Sequence, residues 1–207
     1  MTDEKVNSYR KKYWTRAREE IRNASISGEL VIDKLPLNTI LLGLIYRLFP
    51  DAKVIFALRD PRDVVLSCFQ QRFGMNAAMF QLLKLDSAAM YYDQVMSLAE
   101  VYRARLPLNL HVVRYEDVVG DIKKTVSDLL GFLGLEWEDG ILEYRNQAHN
   151  RWISTPSSEQ VIQPLYGSSI GKWRNYQRHM ETIMPILEPW VEKYGYNVSE
   201  FTFRQFS

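Results

Sequence analysis

Residues 48–69 read LFPDAKVIFALRDPRDVVLSCF, and this stretch decides the fold. Lys53 to Leu58 (KVIFAL) is a short apolar run of the kind found in strands buried on both faces. It leads straight into Arg59-Asp60, and Pro61 suits the first turn of a helix continuing to about Arg72. A buried strand feeding directly into a helix is half of a strand–helix–strand unit, the building block of parallel α/β sheets.

Working outward, the same alternation continues on both sides. Upstream, Phe49-Pro50-Asp51 closes an apolar helix over 37–48, which is expected to be buried on most sides. Before it, Leu30-Val31-Ile32 reads as a buried strand ending at Asp33-Lys34-Leu35-Pro36. Residues 3–24 form a highly charged helix with Tyr9, Tyr13, Ala17 and Ile21 on one face. Downstream, a long helix over roughly 78–105 carries Tyr91, Val95, Leu98 and Tyr102 on one stripe. Leu110 to Arg114 is the third strand. An amphipathic helix over 122–133 follows, with Ile122, Val126, Leu129, Leu130 and Leu133 inward and Gly134 as its stop. The last third predicts a helix near 138–147, a long loop through Ser157 and Gly167, and a helix from about 179 to 194. Pro185 and Pro189 leave the start of that last helix open. The order is that of a parallel α/β sheet flanked by helices, in one domain covering residues 1–207.

Composition narrows the function classes. Lys+Arg 26 against Asp+Glu 25 leaves a net charge of +1, which argues against broad electrostatic binding to nucleic acid or an anionic membrane. Cys68 is the single cysteine, so no intrachain disulfide forms, and with three histidines a Cys/His metal site is not expected. The longest apolar run, Thr39 to Tyr46, falls far short of the ~20 residues that cross a bilayer. The polar opening MTDEKVNSYRKKYW is no signal peptide, and a cytoplasmic location is the expectation.

Parallel sheets bind ligands at the carboxyl ends of their strands. Three polar clusters fall there: Asp33-Lys34, Arg59-Asp60 and Tyr115-Glu116-Asp117. Arg59 leaves a strand where a helix begins, so free N–H groups and a guanidinium fork converge on any bound anion, with Ser67 reaching it from the side. Taken alone, an Arg-x8-Ser is better read as Arg59 paired with Asp60 or Asp63 and Ser67 packed for its size. Lys34 either supplies positive charge to a transferring group or pairs with Asp33. Tyr115 either packs against a base or caps the core. Near the other end, Ser157 and Ser158 precede Gly171-Lys172-Trp173-Arg174. There Lys172 or Arg174 can pair with phosphate, and Trp173 either stacks on a base or anchors the loop.

In series, DKLPLN (33–38), LFPDAKVIFALRDPRDVVLSCF (48–69), VVRYEDVV (112–119), LLGFLGLEW (129–137), SSEQVIQPLYGSSIGKWRNY (157–176) and YGYN (194–197) resemble the sulfotransferase family. This family uses 3′-phosphoadenosine-5′-phosphosulfate (PAPS) and releases 3′,5′-ADP. The similarity is greatest to the tyrosylprotein sulfotransferases and the bacterial enzymes linked to TPR repeats. The resemblance implies a P-loop-type α/β fold and a role for each matching residue. Arg59 and Ser67 match the pair on the nucleotide's 3′-phosphate, Tyr115 the tyrosine near the adenine, and Lys172 a C-terminal lysine on the cofactor. Lys34 matches the lysine that stabilises charge on the sulfuryl group, and Ser157 the serine beside the sulfuryl and 5′-phosphate groups. No metal is implied. The acceptor is a hydroxyl of a peptide tyrosine, a carbohydrate or a small molecule. The chain reads IDKLP where the small-molecule branch has a KTHLP-like stretch with a catalytic histidine, which favours the protein-tyrosine branch.

The resemblance implies a Gly/Ser/Thr-rich phosphate-binding loop ahead of Lys34 and a carboxylate base after that loop, and the sequence shows neither before Lys34. The expectation is therefore the C-terminal three-quarters or so of the family domain, lacking its first strand. Such a chain would be inactive by itself and prone to associate through an exposed sheet edge. A non-catalytic 3′-phosphoadenosine-binding remnant and a P-loop-type phosphotransferase are the competing readings.

Overall fold

The structure is a computed structural model that describes residues 1–23, 30–143 and 167–197. The chain divides into two compact units, one of residues 1–54 and 95–109, the other of 55–94 and 110–207.

The first unit opens with α1 (Asp3–Asn23), in close agreement with the charge pattern. Its inward side chains are Val6, Arg10, Tyr13 and Ala17, spaced four, three and four apart; Tyr9, expected on that face, is exposed. Tyr13 and Trp14 pack on Phe49 with ring centroids 5.0 and 6.1 Å apart, and Arg10 Nε donates to the Leu48 carbonyl. The expected apolar helix over 37–48 is a 3₁₀ segment, Pro36–Leu41, followed by α2 (Leu42–Leu48). Of its side chains only Leu42 is buried, whereas Leu41 and Leu44 are exposed. Gly43 is required by packing: a Cβ there would lie 2.7 Å from a ring carbon of Tyr102.

Residues 30–35 correct the sequence reading. No strand forms among them, and Leu30 and Ile32 are 57% and 70% exposed. An apolar run becomes a strand only when a neighbour takes its backbone hydrogen bonds. Among the described residues the sheet has two strands, β1 (Lys53–Leu58) and β2 (Asn109–Arg114), and neither pairs with residues 30–35. The two strands are parallel and joined by a helical crossover.

β1 runs into α3 (Pro61–Gln70), then α4 (Ala77–Phe80), a 3₁₀ turn at Gln81–Leu83, and α5 (Leu85–Arg105). On α5 the deepest positions are Ala88, Ala89, Met96 and Ala99, and the expected stripe of Tyr91, Val95, Leu98 and Tyr102 lies beside them, half-buried. After β2 come α6 (Tyr115–Gly120) and α7 (Ile122–Leu133). Asp121 caps α7 through the Lys124 N–H at 2.9 Å. Gly134 ends it at φ 74°, where Leu135 N–H reaches the Leu130 carbonyl, the closure that favours glycine. The helix expected near 138–147 is a 3₁₀ turn at Asp139–Glu143, its remainder lying outside the described residues.

The second unit's core joins Val65 and Leu66 of α3, Ala88 and Ala89 of α5, and Trp173, Met180, Ile183 and Leu187. The last three come from α8 (Gln177–Met180), the turn after it, and α9 (Met184–Lys193). Pro185 falls in the first turn of α9, where its missing N–H costs nothing. Pro189 lies one turn further in and leaves the Pro185 carbonyl without its helical donor.

Candidate nucleotide site

The parallel pairing of β1 and β2 brings their carboxyl ends together, and with them two of the three polar clusters. The Asp60 N–H donates to Glu116 Oε1 at 3.0 Å, and Glu116 Oε2 accepts the Tyr196 hydroxyl at 2.9 Å. Burial, then the neighbouring Glu116 carboxylate, pushes the Tyr196 phenol well above its ordinary range. The Arg114 guanidinium stands 4.9 Å from the Tyr196 ring.

The N-terminus of α3 carries a side-chain cap. Asp60 caps it by accepting the Arg62 N–H at 2.9 Å. The same carboxylate takes the Arg62 side chain in a fork, Nε to Oδ1 at 2.9 Å and Nη2 to Oδ2 at 2.7 Å. Arg62 is buried with its guanidinium 4.0 Å from the Trp173 ring. With Asp60 committed to Arg62, it does not serve as the counter-ion of Arg59.

Arg59 is held differently. Its Nη2 donates to the Ser169 carbonyl, and its guanidinium lies 4.8 Å from the ring centroid of Tyr115. Asp63 Oδ2 is 3.9 Å away, ion-pair range but beyond a hydrogen bond. Arg59 Nε is buried with no hydrogen-bond partner among the described residues. A buried guanidinium N–H without an acceptor is costly, so this atom marks a place for an oxyanion.

Asp63 itself is fully buried and serves another segment. Oδ2 accepts the Gly171 N–H at 2.6 Å and Oδ1 the Trp173 N–H at 2.9 Å. Burial raises its pKa above the ordinary aspartate value, against the opposing pull of those two N–H groups and of Arg59. Sequence reading saw Asp63 only as a partner for Arg59. The signal for its second role was faint: an acidic residue in a helix first turn, followed by the apolar run Val64-Val65-Leu66.

Ser67 is half-buried one turn beyond Asp63 on the same face of α3. Gln70 continues that face, and its Oε1 accepts the Lys172 Nζ at 2.9 Å. Thus Ser67 and Gln70, the partner of Lys172, share one face of α3 with Asp63, while Arg59 stands just ahead of the helix with Tyr115 against it. Trp173 is fully buried in the core, which makes it a loop anchor. A cavity of about 280 Å³ opens past the end of α3, walled by Phe69, Phe73, Met79 and Leu82 and edged by Arg72.

Lys34 belongs to the first unit and is exposed. The Asp33 carboxylate beside it is committed elsewhere: Oδ2 accepts the Tyr13 hydroxyl at 3.2 Å and Oδ1 the Asn38 amide at 3.3 Å. Ser157 lies outside the described residues. Among the described residues no cluster of His, Cys, Asp or Glu has the make-up of a metal site, and no helix is long and apolar enough to cross a membrane.

Comparison with known proteins gives this geometry its context. An uncharacterized protein of Aquifex aeolicus is 31% identical over 173 residues, covering 79% of this chain and 22% of that protein. Protein-tyrosine sulfotransferase 2 of Gallus gallus is 29% identical over 144 residues, 61% of this chain and 35% of the relative. The chain spans well under half the length of these relatives. The solved sulfotransferase domain from the curacin biosynthetic pathway shares the fold, with a TM-score of 0.59 at 21% identity over 83% of this chain and 64% of that one. A family model described as the sulfotransferase family matches residues 2–139, two-thirds of the sequence, and the chain belongs to the sulfotransferase family.

Proposed function

We propose that the chain binds the 3′-phosphoadenosine part of PAPS, and that the protein it serves transfers the sulfuryl group to an acceptor hydroxyl. The observation that carries this reading is the buried Nε of Arg59, without an acceptor among the described residues, just ahead of the helix that bears Ser67 and receives Lys172 at Gln70. These donors suit a phosphate. The guanidinium offers a fork, the serine an O–H, and the lysine a mobile charge one helical turn further on.

In the proposed reaction the acceptor oxygen forms a bond to sulfur as the bond from sulfur to the 5′-phosphate oxygen breaks. The acceptor's proton passes to a base, and negative charge grows on the departing phosphate. Lys34 and Ser157 are proposed to stabilise that charge, a task for which one preorganised donor typically contributes ~3–4 kcal/mol. Arg59, Ser67 and Lys172 hold the nucleotide, and Tyr115 keeps Arg59 in place while facing the adenine side. A peptide tyrosine is the proposed acceptor, on the strength of the tyrosine-modifying relative and the absence of the KTHLP-type histidine.

Calorimetry with 3′,5′-ADP, 5′-AMP and ATP tests the reading. Tightest binding is expected for 3′,5′-ADP, with the preference lost in Arg59→Ala and reduced in Ser67→Ala. Tighter binding of ATP, or 3′,5′-ADP binding untouched by Arg59→Ala, overturns it.

A further inference from the structure

The two polar elements of the candidate site come from distant parts of the chain, and one carboxylate joins them. Asp63 sits one turn past Arg59 and one turn before Ser67. Its two oxygens accept N–H bonds from Gly171 and Trp173, the residues on either side of Lys172. Its side chain is fully buried, and Arg59 stands 3.9 Å off. At about 1.5 Å of rise per residue, Asp63 and Gln70 lie ~10 Å apart along α3. The Lys172 backbone is therefore pinned near Asp63 while its side chain runs along the helix to Gln70.

We infer that Asp63 is a positioning residue of the nucleotide site, its carboxylate fixing the Gly171–Trp173 turn so that Lys172 lies along the α3 face that bears Ser67 and Gln70. This inference rests on the 3′-phosphate reading above. Both carboxylate oxygens are needed because each accepts from a different N–H. An amide in place of the carboxylate turns one acceptor into a donor facing a donor. The turn is then released on one side, and Lys172 loses its fixed origin without any change in its own chemistry.

The test is a double-mutant cycle of Asp63→Asn and Lys172→Ala, read as the affinity for 3′,5′-ADP and for 5′-AMP, with folding monitored by circular dichroism. In the wild-type background Asp63→Asn is expected to weaken 3′,5′-ADP binding about tenfold, and in the Lys172→Ala background to add little, because neighbours acting as a unit are non-additive. Affinity for 5′-AMP should change far less. Equal losses in both backgrounds, or no loss at all, overturn the inference while leaving the site reading intact. A wild-type chain with no preference for 3′,5′-ADP overturns both. Should Asp63→Asn fail to fold, Gly171→Ala disturbs the same turn from the other partner, and additivity with Lys172→Ala again defeats the inference.

Discussion

Asp63 and Trp173 are 110 residues apart in sequence and joined by a 2.9 Å hydrogen bond from the Trp173 N–H to Asp63 Oδ1. The bond ties the first turn of α3 to a tryptophan at the centre of the second unit's core. The carboxylate making it is fully buried, and its desolvation outweighs the two N–H donors and the Arg59 charge.

That balance fixes the sign of a pH effect. The folded-state pKa of Asp63 lies above its unfolded value, so between the two the native state holds the extra proton. Stability from this group is full below the unfolded pKa and is lost as pH rises through the folded one. Urea unfolding followed from about pH 4 upward should show this fall in the wild type and a flatter curve in Asp63→Asn. Identical pH dependence in both would contradict it.

Arg62 gives a larger effect. It is buried, forked onto Asp60, set over the Trp173 ring, and bonded through Nη1 to the Asn197 carbonyl at 3.1 Å. Arg62→Ala leaves the Asp60 carboxylate buried without its partner, a change that typically costs about 3–5 kcal/mol. Arg62→Lys should also destabilise measurably, because an ammonium cannot reproduce a planar two-bond fork. Denaturant midpoints of the two variants check this, and a wild-type midpoint for Arg62→Lys would count against the fork as the main contribution.

The contrast between Arg59 and Arg62 shows what the sequence made legible. The run KVIFALRDPRD announces a strand, a helix start and a polar strand end, and all three are present. Which of two arginines three residues apart pairs with Asp60 depends on the side of α3 that meets Trp173, a tertiary fact without local pattern. Leu30-Val31-Ile32 failed for a related reason: strand propensity is a preference for a paired, half-buried surface, and among the described residues no strand pairs with it. Lys172 was legible as a cation near a glycine, but its placement along α3 comes from Asp63, whose letter in the sequence looks like an ordinary first-turn acid.

Gly171 is the other half of that placement. It sits at φ +66°, and a Cβ added there would fall 1.5 Å from Arg174 Nη1. The arginine tip can swing aside, but the left-handed backbone still costs a side chain roughly 1–2 kcal/mol. Gly171→Ala should therefore lower the unfolding free energy by about that much. Gly131 is in the interior of α7 with nothing near its absent Cβ, so Gly131→Ala should instead stabilise, by up to ~1 kcal/mol. Opposite shifts in denaturant midpoint are the expected result, and shifts of the same sign would refute the conformational account.

The first unit carries a surface that invites association. Leu30, Ile32 and Leu35 are 57%, 70% and 57% exposed, and Leu41 and Leu44 of the following helical segments are exposed as well. Single exposed leucines are commonplace, but three large apolar side chains exposed within six residues form a patch that favours association. The chain is therefore expected to self-associate at micromolar concentration. Sedimentation velocity should show the apparent mass rising with loading. Replacing Leu30, Ile32 and Leu35 together by Thr should return it toward the monomer without lowering the unfolding midpoint, since none of the three is buried. A wild-type chain that stays monomeric across the concentration range, or a triple variant that unfolds more easily, would show that these side chains serve the fold of the single chain.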